Sequence, residues 1–307
     1  MTRSVHALRP AAIAACAALL ASEAALAQPL FLASYGSTLY RVTGETVEAF
    51  PGQPASIIGM TVIPPGASVA GAVAGDVLAI EGSGGTRLWR VDNPTSGTPD
   101  LVLLGNFPAD HARGDITFAH GRLFGVQGGI IYEYSVVDFS LVNVIDLERP
   151  SASTGGIAFD GGSNWYLANQ ASERIVRLPD PPTPEGWTPL EPTGIDIGNN
   201  DLEWYHARLW LATDTDGMIR IGTINLDTGA YQHALDVAPT TTPRGVGLAV
   251  INTCRPDLNG DGAVNSLDFV LFLNYWTASH PAADWNRDGT VNSLDFLAFL
   301  NEWIAGC

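Results

Sequence analysis

The sequence predicts a mainly β protein, a five-bladed β-propeller followed by a small α-helical module. Two observations predict the propeller. Between Gln28 and Asn252 the chain consists of short apolar runs separated by Gly, Asp, Asn and Pro, with no helical periodicity of useful length. Within that region, residues 115–126 (DITFAHGRLFGV) resemble residues 201–212 (DLEWYHARLWLA), and residues 156–169 carry a related pattern between them. The spacing is roughly 41 to 46 residues, the period of a four-stranded blade. A third observation, an acidic duplication near the carboxy terminus, marks the helical module. With 33 glycines and 20 prolines against 15% charged residues, the composition suits a turn-rich β protein.

Residues 1–27 read as a secretory signal. Arg3 and Arg9 supply the positive start, residues 11–20 the apolar stretch, and Ala25-Leu26-Ala27 a small-residue cleavage site before Gln28. A lipobox at residues 13–16 competes, but the apolar run before Cys16 is short and continues beyond it. No later segment is long and apolar enough to span a bilayer. The expected location is therefore secreted, extracellular or on the cell surface.

The propeller is assigned to residues 28–252. First strands are expected to end near Val62, Phe118, Phe159, Trp204 and Val250, and second strands to lie near Phe31, Leu78, Phe124, Tyr166 and Trp210. The two sets are offset: the strand at Phe31 has no first strand before it, and the strand at Val250 has nothing after it. Joining them lets the amino-terminal strands complete the last blade and close the ring. Five blades result; six or seven follow if a weak repeat is hidden, and a β-sandwich or solenoid is the alternative. Asp227-Thr228-Gly229 is expected to be a hairpin turn between outer strands.

Residues 253–307 form the second domain. Residues 257–268 (DLNGDGAVNSLD) recur as residues 284–295 (DWNRDGTVNSLD), and the likeness continues into FxxFLNxW. Calcium takes six to eight oxygen ligands, and an EF-hand loop offers them at alternate positions so that they converge on one point. Asp257, Asn259, Asp261, the Ala263 carbonyl, Asn265 and Asp268 fill those positions once; Asp284, Asn286, Asp288, the Thr290 carbonyl, Asn292 and Asp295 fill them again. Two calcium ions are expected. Gly262 and Gly289 fall where such a loop turns sharply. Helices are expected to start near Asn265 and Asn292, with Leu267, Phe269, Phe272, Leu273 and Trp276 pairing against Leu294, Phe296, Phe299, Leu300 and Trp303. Phe269, Tyr275 and Trp285 are read either as exposed aromatics for a partner or as core. Because clustered aspartates repel one another, the metal should drive folding of the module.

Asp at the twelfth loop position, and only Cys254-Arg255-Pro256 before the first loop, make each unit a loop followed by one helix. That duplicated pattern over residues 254–307 resembles the dockerin family, and the opening Cys254 with the ending Ala305-Gly306-Cys307 resembles its GC type. The resemblance implies docking onto a cohesin-like or other surface-anchoring protein through Ser266, Leu267, Ser293 and Leu294, in either of two orientations. Asn274 and Asn301 stand where the common pattern has basic residues. Cys254 and Cys307 are the cysteines left after signal cleavage, and they bracket the module. A bridge between them closes a loop of roughly 54 residues, worth about 4 kcal/mol on the loop-entropy account; two unrelated thiols are the alternative.

The function of the propeller is less legible. A formal charge of -17 argues against nucleic acid or an anionic membrane as partner. The chain has no Ser nucleophile elbow, zinc-binding histidine pair or glycine-rich phosphate loop. His120 and His206 occupy matching blade positions and read as structural. Residues 214–217 read as a turn, and Trp89, Trp165, Trp204 and Trp210 as packing between blades, with stacking on a glycan as the competing role. Asp115 and Asp201 each start a first strand, where side chains approach the axis, which makes them weak candidates for the two carboxylates of a glycoside hydrolase. No third acid stands at a convincing spacing, so a catalytic pair with a supporting acid is not expected. The expected role is ligand binding or scaffolding, with a dockerin-borne glycosidase acting in polysaccharide breakdown as the alternative.

Overall fold

Alternation of apolar residues on both sides of short strands makes sheets that must be covered on both faces. In the computed structural model, which describes residues 29–82, 86–108, 114–149, 154–240, 245–259, 263–286 and 290–306, five four-stranded antiparallel sheets cover one another around a ring. The first sheet contains β1 (Leu30–Tyr35), β2 (Thr38–Thr43) and β3 (Thr46–Pro51). The second is β4 (Ile57–Val62), β7 (Val77–Glu81), β8 (Arg87–Asp92) and β9 (Asp100–Asn106), interrupted by the ribbon β5 (Ser68–Val69) and β6 (Ala72–Val73). The third runs β10 (Ile116–Ala119), β11 (Arg122–Gln127), β12 (Ile130–Tyr134) and β13 (Leu141–Asp146). The fourth runs β14 (Thr154–Phe159), β15 (Asn164–Asn169), β16 (Arg174–Pro179) and β17 (Thr188–Pro192), and the fifth β18 (Asn199–Tyr205), β19 (Arg208–Thr215), β20 (Met218–Ile224) and β21 (Tyr231–Pro239).

The last strand, β22 (Val246–Ile251), pairs with β1 from Leu30 opposite Ile251 to Tyr35 opposite Val246. The first blade is thus β22-β1-β2-β3, built from both ends of the propeller, as the strand offset predicts. The first and second strands of all five blades fall where the sequence places them. The turn at 227–229 also forms, with the Gly229 amide donating to the Asn225 carbonyl at 2.7 Å.

The period-two pattern decides which junction each side chain fills. Leu30 and Leu32 enter the core between the first and second blades, while Phe31 and Ala33 enter the core between the fifth and first. Three further cores fill the remaining junctions, so each gap between neighbouring blades has its own apolar layer. Trp89, Trp165 and Trp210 are buried in these layers, and Trp204 stacks on Tyr166 at 5.7 Å between the fourth and fifth blades. They are packing residues. His120 and His206 lie in the tight turns after β10 and β18 with φ of 52° and 50°, and Asp216-Gly217 makes the turn between β19 and β20.

The chain then enters α1 (Ser266–Thr277) and α2 (Ser293–Ala305), each preceded by one of the duplicated loops. Phe272 and Phe299 stack at 3.9 Å with planes 2° apart, and the edge of Trp285 closes on Phe299 at 4.9 Å. Phe269 and Tyr275 are half-buried against the same core, so these aromatics belong to it rather than to a free surface. Among the described residues no helix is long and apolar enough to cross a membrane.

Candidate metal centre and axial carboxyls

Both loops enter their helices through the same device. Asn265 Oδ1 accepts the Leu267 amide at 2.8 Å while Asp268 Oδ2 accepts the Asn265 amide at 2.8 Å, and Asn292, Leu294 and Asp295 repeat both bonds. These are capping boxes, which satisfy amides that a helix start otherwise leaves open. The second oxygen of each aspartate reaches back to the loop's beginning: Asp268 Oδ1 accepts the Asn259 amide and Asp295 Oδ1 the Asn286 amide, each at 3.0 Å. The twelfth loop residue therefore ties the two ends of its loop together. Asn265 and Asn292 donate from Nδ2 to the Ala263 and Thr290 carbonyls, each at 3.0 Å.

Asp257, Asp268 and Asp295 are buried. Carboxylates withdrawn from water need compensating positive charge. Arg255 bonds to Glu302 at 3.3 Å and lies over the face of Trp285 at 4.1 Å. His206 of the propeller approaches Asp257 Oδ2 at 3.2 Å. The remaining donors are all oxygens from Asp, Asn and backbone carbonyls, the set that suits a hard cation such as calcium. Among the described residues His, Cys, Asp and Glu form no group of three or more spaced for a metal, and one aspartate of each loop lies outside those residues. Asp261, Gly262, Asp288, Gly289 and Cys307 lie outside the described residues, as does the expected signal at 1–27.

Two indoles lock the halves together. Trp276 Nε1 donates to the Asn292 carbonyl and Trp303 Nε1 to the Asn265 carbonyl, each at 2.9 Å, so each helix holds the other helix's cap. The expectation that Leu267 and Leu294 join the paired apolar faces is corrected: they are 62% and 58% exposed. Five residues at 3.6 per turn place Leu267 roughly 140° around the helix from Phe272, away from the partner helix, and Leu294 stands likewise to Phe299. Val270, Leu297 and Ile304 are exposed too.

Residues 255–302 match the family model of the dockerin type I domain. Dockerin domains bind calcium, dock onto cohesins and occur in extracellular or cell-surface proteins. The dockerin module here has the loop–helix–loop–helix order that its duplicated sequence predicts. No curated protein matches the chain. Among solved structures, virginiamycin B lyase from Staphylococcus aureus is 14% identical, covering 68% of this chain and 65% of its own, with a TM-score of 0.38. A structure from the nidogen/laminin complex is 15% identical, covering 72% of this chain and 98% of its own, with a TM-score of 0.45. The chain thus spans just under two thirds of the lyase.

On the propeller, Asp115, immediately before β10, and Asp201 of β18 lie at the axis, both fully buried, and Asp115 accepts the amide of Leu202, the residue next to Asp201. Glu203 is buried beside them, close enough for the Asp115 charge to act on it. The expectation that no third acid accompanies the pair is therefore corrected. Glu203 follows Asp201 by two residues on the same strand, hence on the same face, and that spacing was the signal that sequence reading missed. Both carboxyls are sealed from solvent and accept backbone amides, whereas the two carboxyls of a glycosidase flank the bond of a bound substrate. Burial raises Asp115 to about 7 against the pull of the backbone amides and holds Asp201 and Glu203 well above the usual carboxylate range, with the Asp115 charge adding to both.

Proposed function

We propose that this is an exported protein whose dockerin module, folded around two calcium ions, attaches a non-catalytic propeller to a cohesin-like partner. The exposure of Leu267 and Leu294 carries the reading, since these apolar side chains stand at equivalent places on two helices whose other faces are packed. Ser266 and Ser293 flank them, and Val270, Leu297 and Ile304 extend the apolar stripe. Each loop–helix unit thus offers the same surface, and either one serves for docking. Asp257, Asn259, Asp261, Ala263, Asn265 and Asp268 hold one ion, and Asp284, Asn286, Asp288, Thr290, Asn292 and Asp295 the other. Cys254, buried at the module's entrance, pairs with Cys307. The propeller acts as a ligand-binding or scaffolding cargo, because the carboxyls at its axis are fully buried and engaged by amides.

Calorimetry of the full chain with calcium is expected to find two sites in the wild type and one in Asp257→Ala. A type I cohesin should bind in calcium and not in chelator. Leu267→Asp and Leu294→Asp should each leave binding in place, while the double variant abolishes it. Binding by the double variant or in chelator refutes the docking surface. Hydrolysis in a polysaccharide screen, lost in Asp115→Asn, overturns the non-catalytic role. Detection of both cysteines as free thiols in the exported protein removes the bridge.

A further inference from the structure

The innermost strand of each blade pairs on one side with its own blade and turns its other edge toward the axis. Amides on that edge are buried and need acceptors. Asp115 accepts the Ile116 amide on Oδ1 at 2.6 Å, and on Oδ2 the Ile157 amide at 2.9 Å and the Leu202 amide at 3.3 Å. Asp201 Oδ2 accepts the Met60 amide at 2.8 Å and the Leu248 amide at 2.5 Å. Those donors lie on β10, β14, β18, β4 and β22, one from the innermost strand of every blade. Two neighbouring side chains thus engage the whole ring.

Two carboxyls buried side by side do not both ionise, because like charges withdrawn from water repel. A carboxylate is acceptor-only, so one of them must keep a proton to bond to the other. Asp201 Oδ1 is buried and has no amide or hydroxyl partner among the described residues, and the Asp115 carboxyl is the charge that acts on it. Among the described residues of the packed strands no other charge replaces the proton. β4 (IIGMTV), β10 (ITFA), β14 (TGGIAF) and β22 (VGLAVI) carry no ionisable side chain. β18 adds Glu203, which accepts the Val62 amide at 3.4 Å and bonds to Thr61, and Tyr205 at its end. The backbone is built for this proximity: a Cβ on Gly59 of β4 would lie 2.8 Å from both Cα and Oδ1 of Asp115.

We propose that Asp115 and Asp201 share a proton and with it form a clasp that closes the five-bladed ring at its axis, so that alkali loosens the propeller by removing that proton. The sign follows from the raised values. A group that holds its proton more tightly folded than unfolded stabilises the fold fully below its unfolded pKa, and that stabilisation is lost as pH rises through the folded one. For Asp115 the loss runs from the ordinary carboxylate range up to about 7, and for Asp201 it continues above.

The test is the pH dependence of propeller unfolding, followed by its β signal in constant calcium, for the wild type, Glu203→Gln and Asp201→Asn. The amide introduced by Asp201→Asn keeps a carbonyl for the Met60 and Leu248 amides and offers Asp115 an N–H in place of the proton. Between about pH 7 and 9 the folded-to-unfolded ratio should fall by up to tenfold per pH unit for each retained proton. Asp201→Asn should remove one such proton from the slope, and Glu203→Gln should leave the contribution of Asp201 intact. Equal slopes in Glu203→Gln and the Asp201→Asn, Glu203→Gln double variant overturn the proposal. Infrared spectroscopy gives a reading without altering the clasp: Glu203→Gln at pH 8 should retain the carbonyl stretch of a protonated carboxylic acid, and its absence also overturns the proposal.

Discussion

Replacing Phe299 by alanine removes one of the two rings on which the dockerin module's core is stacked. The ring lies 3.9 Å from Phe272 and 4.9 Å from Trp285, and both Phe272 and Phe299 are fully buried. A buried Phe→Ala change costs about 3 to 5 kcal/mol, from lost transfer energy and from the cavity left behind. A module this small has a total stability of the same order. The variant should therefore need much more calcium to fold, since binding to the folded form offsets the loss only in proportion to RT ln(1 + [L]/Kd). The loss alone corresponds to roughly a hundredfold or greater shift in the folding equilibrium. Leu294→Ala, on the same helix but 58% exposed, should change stability by no more than about 0.5 kcal/mol. Calcium titrations followed by helical ellipticity, with the propeller's β signal as internal reference, separate the two. Equal midpoints for Phe299→Ala and Leu294→Ala refute the packing described above.

Removing calcium with excess chelator should abolish the helical signal and leave the β signal, because the buried carboxylates of the loops then face one another uncompensated; circular dichroism reads both. Asn265→Ala should destabilise the module by about 1 kcal/mol through loss of its capping box, and Asn292→Ala by a similar amount, as denaturant midpoints will report. Gly59→Ala should destabilise the propeller by about 1 to 3 kcal/mol, since the added methyl meets the backbone of Asp115 at 2.8 Å; an unchanged thermal midpoint contradicts the close axial packing.

The dockerin module was legible because its information is local. The candidate ligands of a calcium loop and the caps of its helix lie within a dozen residues of one another, so spacing alone names the oxygens, and the duplication names them twice. Blade strands were legible for a related reason: alternation over a few residues names a strand, and the unpaired strand at each end of the propeller named the closure of β22 on β1. What the sequence left open depends on which face of an element meets which neighbour. Leu267 and Leu294 share the apolar character of Phe272 and Phe299, and only the helix pairing turned the leucines outward and the phenylalanines inward. Asp115 and Asp201 look like repeat residues at matching blade positions. Their meeting, and the amides they collect from every blade, follow from ring closure, which brings strands distant in sequence to one axis where buried amides must find acceptors.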